Sequence, residues 1–352
     1  MNNNKSAYFA GLDIGGSTVK SVLVDRQGVQ VGELVEVPSQ VTAGYQKTFE
    51  QLELALDLLT QGVGASRQDI GGVGLDVPAP NCDGVIWHQA NLGDDWVGTN
   101  ICQKLSERIE IPVTMTNDGN AAALGEYAIR PEHAGGLLLV SPGTGLGGGL
   151  VLPGGTAYVG SNGLALEVGH MSVLFREEDG LLPSCSCGKK GCLEAWVSLV
   201  ALRRRLALEL AKEKWAEHPL NSTDDTIEQK AFQLRDFADR EDSLAIEIFQ
   251  QQAYILGFGL ADLVRLFDPG LVVIGGGLAE AGFRDQFMEW MLAGFDDRTW
   301  PVYRHNPLNP EQLTTQFELA RSGDSAAALG MAYMAHSLYG AHSLYGAHSL
   351  YG

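Results

Sequence analysis

Apolar and polar residues alternate in short blocks at the start of the chain. Tyr8–Ile14 is an apolar run, Thr18–Val24 alternates, and Val29–Val37 alternates again, with Gly15-Gly16 and Asp25–Gly28 between them. Blocks of this length, separated by turn residues, predict three strands joined by tight turns. The period then changes. Phe49, Leu52, Leu56 and Leu59 keep the i, i+3, i+7, i+10 spacing of one helix face. A strand is expected at Gly72–Val77, followed by the loop Pro78-Ala79-Pro80. Another is expected at Val113–Met115, leading into a helix at Ala121–Tyr127.

The opening pattern returns further on. Leu137–Val140 reads as a strand, Gly143–Gly149 as a Gly-rich turn and Leu150–Leu152 as a second strand. Pro153-Gly154-Gly155 turns again before Thr156–Val159. Each half thus begins strand, Gly-rich turn, strand, turn, strand, which argues for a duplicated architecture without a sequence repeat. Long helices are expected at 193–216 and 244–267, the second with Ile246, Phe249, Ala253, Leu256, Leu260 and Val264 on one face. Leu271–Ile274 reads as a buried strand ending in Gly275-Gly276-Gly277, and a last helix covers about Asp324 to Ala335. From Ala335 to Gly352 the hexapeptide Ala-His-Ser-Leu-Tyr-Gly occurs three times. Three copies of six residues cannot build a solenoid core, so 337–352 reads as a low-complexity tail.

Composition narrows the class. With 352 residues, 45% apolar and 19% charged, the chain has the profile of a folded protein large enough for two domains. A formal charge of −19 opposes binding to nucleic acid. An ATP site in such a chain must make its own positive field from backbone N–H groups and a metal ion. No signal-peptide core and no membrane-length apolar run is visible, so the expected location is cytoplasmic, away from the membrane. Of five cysteines, three crowd between 185 and 192, which points to metal binding instead of a disulfide framework.

Several motifs carry candidate chemistry. In Asp13-Ile-Gly15-Gly16-Ser17-Thr18 the glycines permit close approach to phosphate, and Asp13 could hold Mg²⁺ through water; the plain alternative is a hairpin turn. Gly143-Thr144-Gly145-Leu146-Gly147-Gly148-Gly149 contains G-x-G-x-x-G, but a dinucleotide fold requires those glycines to open a helix, and here the chain runs into another turn. Two such turns, one opening each half, suggest a polyphosphate clamp. His170 with Cys185, Cys187 and Cys192 matches a closed, structural zinc site, and Gly188 and Gly191 allow the tight turn it needs. Asn117-Asp118-Gly119-Asn120 is good N-cap and turn chemistry; its functional reading makes Asp118 a general base. Zinc pinning His170 and Cys192 would also fix Glu167 and Glu194, and rigid carboxylates suit hydroxyl recognition.

Taken in order, these motifs, with Glu167-x-Gly169-His170 and Cys192-Leu193-Glu194, resemble the ROK family of sugar kinases and sugar-responsive repressors, and within it the bacterial glucokinases. The resemblance covers about residues 8 to 335. It implies an α/β, actin-like ATPase (ribonuclease H-like) fold of two lobes with an interlobe cleft. The small lobe would be 1–118, completed by the helix at about 322–336; the large lobe, with its zinc loop, would be 119–321. It implies ATP-dependent phosphorylation of a hexose, glucose first, at the 6-hydroxyl, with Asp118 as general base and Mg²⁺ and a structural Zn²⁺ as cofactors. Asn91, Asn117, Asp118, Glu167, His170 and Glu194 would contact the sugar. Asp13, Gly15, Gly16, Ser17 and Thr18, with Gly143, Thr144 and Gly145, would hold the phosphates, and Gly275 and Gly276 would border the adenosine. His170, Cys185, Cys187 and Cys192 would bind zinc. A homodimer is the family expectation.

Three residues depart from the family's pattern. Ser17 stands where Thr is usual, Leu166 where Gly precedes the Glu, and Ala79 where Pro-Gly is common. Leu166 and Ala79 are expected to narrow the sugar site. The alternatives are a kinase for fructose, mannose, N-acetylglucosamine or N-acetylmannosamine, polyphosphate as donor, or a non-enzymatic sugar sensor. The family's repressors carry an N-terminal helix-turn-helix, for which the chain before Tyr8 leaves no room.

Overall fold

A computed structural model describes residues 7–88, 92–133, 135–277 and 281–340. The strands are β1 (Tyr8–Ile14), β2 (Thr18–Asp25), β3 (Gln30–Pro38), β4 (Ile70–Val77), β5 (Asn81–Cys82), β6 (Val85–Ile86), β7 (Val113–Asn117), β8 (Leu137–Pro142), β9 (Leu146–Leu152), β10 (Thr156–Ala157), β11 (Leu271–Ile274), β12 (His305–Asn306), β13 (Asn309–Leu313) and β14 (Gln316–Leu319). The helices are α1 (Tyr45–Gly62), α2 (Ile101–Ile109), α3 (Asp118–Ala128), α4 (Glu194–Val197), α5 (Leu199–Leu210), α6 (Ile227–Ala238), α7 (Ser243–Phe267), α8 (Arg284–Asp296) and α9 (Ala326–Tyr339). The chain divides into two compact units. Unit 1 is Met1–Leu139, Gly149–Leu166 and Arg321–Gly352; unit 2 is Val140–Gly148 and Glu167–Ala320.

The two large sheets share one topology. The first runs β3-β2-β1-β4-β7 and the second β10-β9-β8-β11-β14, so each is ordered third, second, first, fourth, fifth. In the first sheet β1–β2 and β2–β3 are antiparallel, while β4 and β7 continue parallel from β1. This is the actin-like ATPase fold, and the shared strand order bears out the duplication read from the turns.

In unit 1 the alternation along β1 and β4 sorts residues by face. Ala10, Leu12, Ile14, Val73, Leu75 and Val77 join the core formed with Phe49, Leu52, Leu56 and Leu59 of α1. The opposite face carries Gly11, Asp13, Gly74 and Asp76. A Cβ on Gly11 would lie 1.8 Å from the Ala328 carbonyl oxygen, and one on Gly74 2.0 Å from that of Met331. Glycine therefore lets the backbone of α9 rest on this face. Buried Glu126 of α3 ties down the chain entering α9: it pairs with buried Arg130 and accepts from the Ser322 hydroxyl and, at 2.9 Å, the Ser322 N–H.

Four segments differ from the pattern's expectation. The Gly-rich turn ends at Gly145, and Gly147–Gly149 belong to β9, where a Cβ on Gly149 would lie 2.4 Å from the Gly119 carbonyl oxygen of α3. β10 stops at Ala157. The long helix expected from 193 breaks at Ser198, whose side chain caps α5 by accepting from the Ala201 N–H at 3.1 Å. α9 runs to Tyr339, into the segment read as tail, because that ring packs on Gly72. No helix among the described residues is long and apolar enough to cross a membrane.

Candidate functional site

In unit 1 the β1–β2 hairpin closes through the Gly15 N–H, which donates to the Thr18 carbonyl at 2.9 Å, and leaves Gly16 and Ser17 exposed. Behind that turn a polar row crosses the sheet. Lys20, Asp13, Asp76 and Thr116 are successive register partners on β2, β1, β4 and β7. Burial pushes the Asp13 carboxyl up to about 6; Lys20 opposes that rise, and the Asp118 charge adds to it. Lys20 also bonds Asp324 at 3.1 Å. Asp13 and Asp76 face each other acceptor to acceptor, so a hydrogen bond between them requires a proton on one.

Asp118 opens α3 next to this row. Asn117 caps the helix, accepting from the Asn120 N–H at 3.0 Å, and the Gly119 N–H donates to Asp118 Oδ1 at 2.8 Å. The capping reading of Asn117 is therefore correct. It leaves Asp118 at the first helical position, open to solvent on one side, where partial desolvation by the protein packed around it raises its carboxyl above the usual range against the pull of the Gly119 N–H and its own N–H. Asp76 is the residue that sequence reasoning passed over. Its signal is a lone charge closing the strand Ile70-Gly-Gly-Val-Gly-Leu-Asp-Val.

Unit 2 assembles a second set. The Gly143–Gly145 turn is held at both ends: the Leu199 N–H at the start of α5 donates to the Gly143 carbonyl at 2.8 Å, and the Leu146 N–H donates to Glu194 Oε2 at 3.1 Å. A Cβ on Gly145 would lie 2.6 Å from that same oxygen. Glu194 Oε1 accepts from the Ser186 hydroxyl at 2.6 Å. Burial works against its charge, but these hydrogen bonds outweigh it and hold the carboxyl below the usual range. Thr144, Gly145, Ser186, Glu194 and Arg204 line one cavity of about 190 Å³. Gly275 donates its N–H to the Val140 carbonyl at 2.9 Å, and Gly276, at φ 73°, lies where a Cβ would come 2.1 Å from the Pro142 oxygen. Both glycines thus abut the strand that leads into the Gly143 turn.

The ligand atoms of His170, Cys185, Cys187 and Cys192 all lie within 4.8 Å of one another. Cys187 Sγ is 3.8 Å from Cys192 Sγ, and His170 Nδ1 is 3.6 Å from Cys185 Sγ. A tetrahedral ion with Zn–S bonds of about 2.3 Å places its sulfurs about 3.8 Å apart. The four groups therefore fit zinc in spacing as well as in kind. The Leu193 N–H bonds the Met171 carbonyl at 2.8 Å, holding Cys192 beside His170. Glu167 and His170 are exposed at the two ends of a single 3₁₀ turn.

Of the remaining expected residues, Asn91 lies outside the described residues. Leu166 is buried with φ 65°, the left-handed region that favours glycine, which explains the Gly usual at this place in the pattern. Ala79 is buried, and its carbonyl accepts from Asn81 Nδ2 at 3.0 Å.

The ROK family model matches residues 9–338, and the chain belongs to the ROK family. A glucokinase of Halalkalibacterium halodurans is 30% identical over 330 residues, covering 93% of this chain and 94% of that one. The crystal structure of a ROK family glucokinase from Streptomyces griseus, in complex with glucose and AMPPNP, is 27% identical with a TM-score of 0.68, covering 94% and 99%. The xylose repressor of Bacillus subtilis is 26% identical over 337 residues, covering 94% of this chain and 77% of its own.

Proposed function

We propose that this protein is an ATP-dependent hexose kinase that phosphorylates the 6-hydroxyl, with glucose as its first substrate. The observation that carries the reading is Asp118: a carboxyl open to solvent at the start of α3, held by the Gly119 N–H, whose affinity for a proton is raised by the protein packed around it. Such a group takes the proton of a hydroxyl as that oxygen attacks the γ-phosphorus, and ADP leaves on the opposite side. Similarity to glucokinases supports the choice of sugar.

The other assignments follow the family's pattern. Asn91, Asn117, Glu167, His170 and Glu194 bind sugar hydroxyls, and Glu194 arrives already oriented by Ser186 and Leu146. Gly15–Thr18 and Gly143–Gly145 offer backbone N–H groups to the phosphates, and Gly275 and Gly276 border the adenosine. Asp13 is the carboxylate that would hold the Mg²⁺ of Mg-ATP, which would supply charge neutralisation at the phosphates. Zinc on the four-residue cluster is structural; with His170 Nδ1 turned to the cluster, Nε2 is the nitrogen left for the sugar.

Leu166 keeps its side chain despite a backbone cost of about 1–2 kcal/mol in the left-handed region. We assign it, with Ala79, to trimming the sugar site. An ADP-release assay across glucose, fructose, mannose, N-acetylglucosamine and N-acetylmannosamine tests the reading. Preference for glucose supports it. Preference for another sugar keeps the kinase and moves the substrate. Sugar binding without turnover, with ATP or polyphosphate, defeats the kinase in favour of a sensor.

A further inference from the structure

With 43 acidic side chains against 24 basic ones, an arginine of this chain is expected to meet a carboxylate. Arg67–Asp57, Arg204–Glu177 and Arg298–Asp262 are such pairs. Arg235 departs from the rule. Its guanidinium makes no hydrogen bond, ion pair or ring contact among the described residues. Asp239, which caps the same helix, stands at the i, i+4 spacing that suits a pair, yet no pair forms. Helix α6 buries Ala231, Leu234 and Ala238, and Arg235 lies half-buried at the edge of that stripe. There it meets the loop that follows β11, within unit 2. A Cβ on Gly277 would come 2.8 Å from Arg235 Nη2, 3.2 Å from Nη1 and 3.5 Å from Cζ. The terminal nitrogens are nearer than Cζ, so the edge of the guanidinium rests on the glycine and its planar faces are not used there. Gly276, the neighbouring residue, is exposed.

We infer that Arg235 is a nucleotide contact, its guanidinium stacking on the purine base of ATP. The inference rests on the assignment of Gly275 and Gly276 to the adenosine. Those glycines carry no side chain to cover a base, and Arg235 supplies one at the same loop. A guanidinium is planar, permanently charged and weakly hydrated, which suits it to lie on a heteroaromatic ring. It also sets one positive charge beside the ligand in a chain whose net field repels ATP. A contact to the base is equally strong before and during phosphoryl transfer, so it acts on the KM for ATP and leaves kcat unchanged.

The test is calorimetric titration of the zinc-loaded full-length protein with Mg-ADP, with adenosine and with tripolyphosphate, in wild type, Arg235→Ala and Arg235→Lys. Arg235→Ala should weaken Mg-ADP and adenosine alike by about 3- to 30-fold and leave tripolyphosphate unchanged. The KM for ATP should rise by the same factor, with kcat and the KM for sugar unchanged. Arg235→Lys, which keeps the charge but loses the plane, should recover only part of the loss. Circular dichroism and zinc content should match the wild type in both variants. A folded Arg235→Ala that binds Mg-ADP as the wild type does overturns the inference and leaves the kinase reading standing. So does a loss shared by tripolyphosphate, which marks a phosphate contact, or full rescue by lysine, which marks a point charge. A wild-type protein that binds neither Mg-ADP nor adenosine overturns the inference together with the nucleotide reading.

Discussion

At the scale of single residues, two carboxyls decide most of the account. Asp118→Asn keeps the size and much of the hydrogen bonding of the native side chain but cannot accept the hydroxyl proton. Sugar phosphorylation should fall roughly 100- to 10,000-fold; steady-state turnover near the wild-type rate would show that the base is elsewhere. Because partial desolvation raises Asp118, the acid limb of the wild-type kcat/KM profile should lie above the ordinary carboxylate range. Asp13 gives a stability prediction with a definite sign. Its carboxyl titrates near 6 in the fold against 3.8 as its ordinary value, chiefly through burial. The folded chain holds this proton more tightly than the unfolded chain, so the associated stability is present at low pH and lost as pH rises through that window. Without added Mg²⁺, Asp13→Asn should gain thermal stability relative to wild type between about pH 4 and pH 7. A difference that stays flat across the window contradicts the assignment.

At the scale of elements, the best-read segments were those whose period was undisturbed. β1 and β11 match the pattern residue for residue, and α7 fills its expected range. Segments were lost where local chemistry overrode periodicity. The apolar spacing after Leu193 carries on through Ser198, but the capping hydroxyl there starts a new helix. α6 was announced only by the capping box Thr226-x-x-Gln229, and α8 begins without a side-chain cap. β14 is short and finds its place by pairing in parallel with β11, a long-range contact that no local pattern contains. Two elements give measurable tests. The zinc loop should carry one zinc per chain by metal analysis, and Cys187→Ser should lose the metal and lower the melting temperature; undiminished stability without zinc would remove its structural role. Glu126 joins α3 to the chain entering α9 through buried Arg130 and Ser322. Glu126→Ala should cost about 3–5 kcal/mol by denaturant unfolding, since it removes the carboxylate paired with a buried guanidinium; a loss under about 1 kcal/mol would place the pair outside the stability of unit 1.

For the whole molecule, the sequence disclosed the duplication and most candidate site groups because their chemistry is concentrated in glycine turns and a cysteine cluster. Both sheets repeat one strand order although their sequences do not match. Asp76 stayed hidden because one charge in an apolar strand carries no spacing signal; only the register with Asp13 gives it meaning. With a net charge of −19, the proposed kinase would have to draw ATP by local N–H groups and metal ions instead of by its net field. Phosphoryl transfer itself is the central claim, and ³¹P nuclear magnetic resonance reads it directly. Zinc-loaded protein is supplied with Mg-ATP and glucose, beside a matched sample of Asp118→Asn. The account predicts a sugar 6-phosphate resonance that grows with ADP in the wild type and not in the variant. A wild-type spectrum showing no phosphorylated hexose of any kind, or equal product from Asp118→Asn, would contradict it.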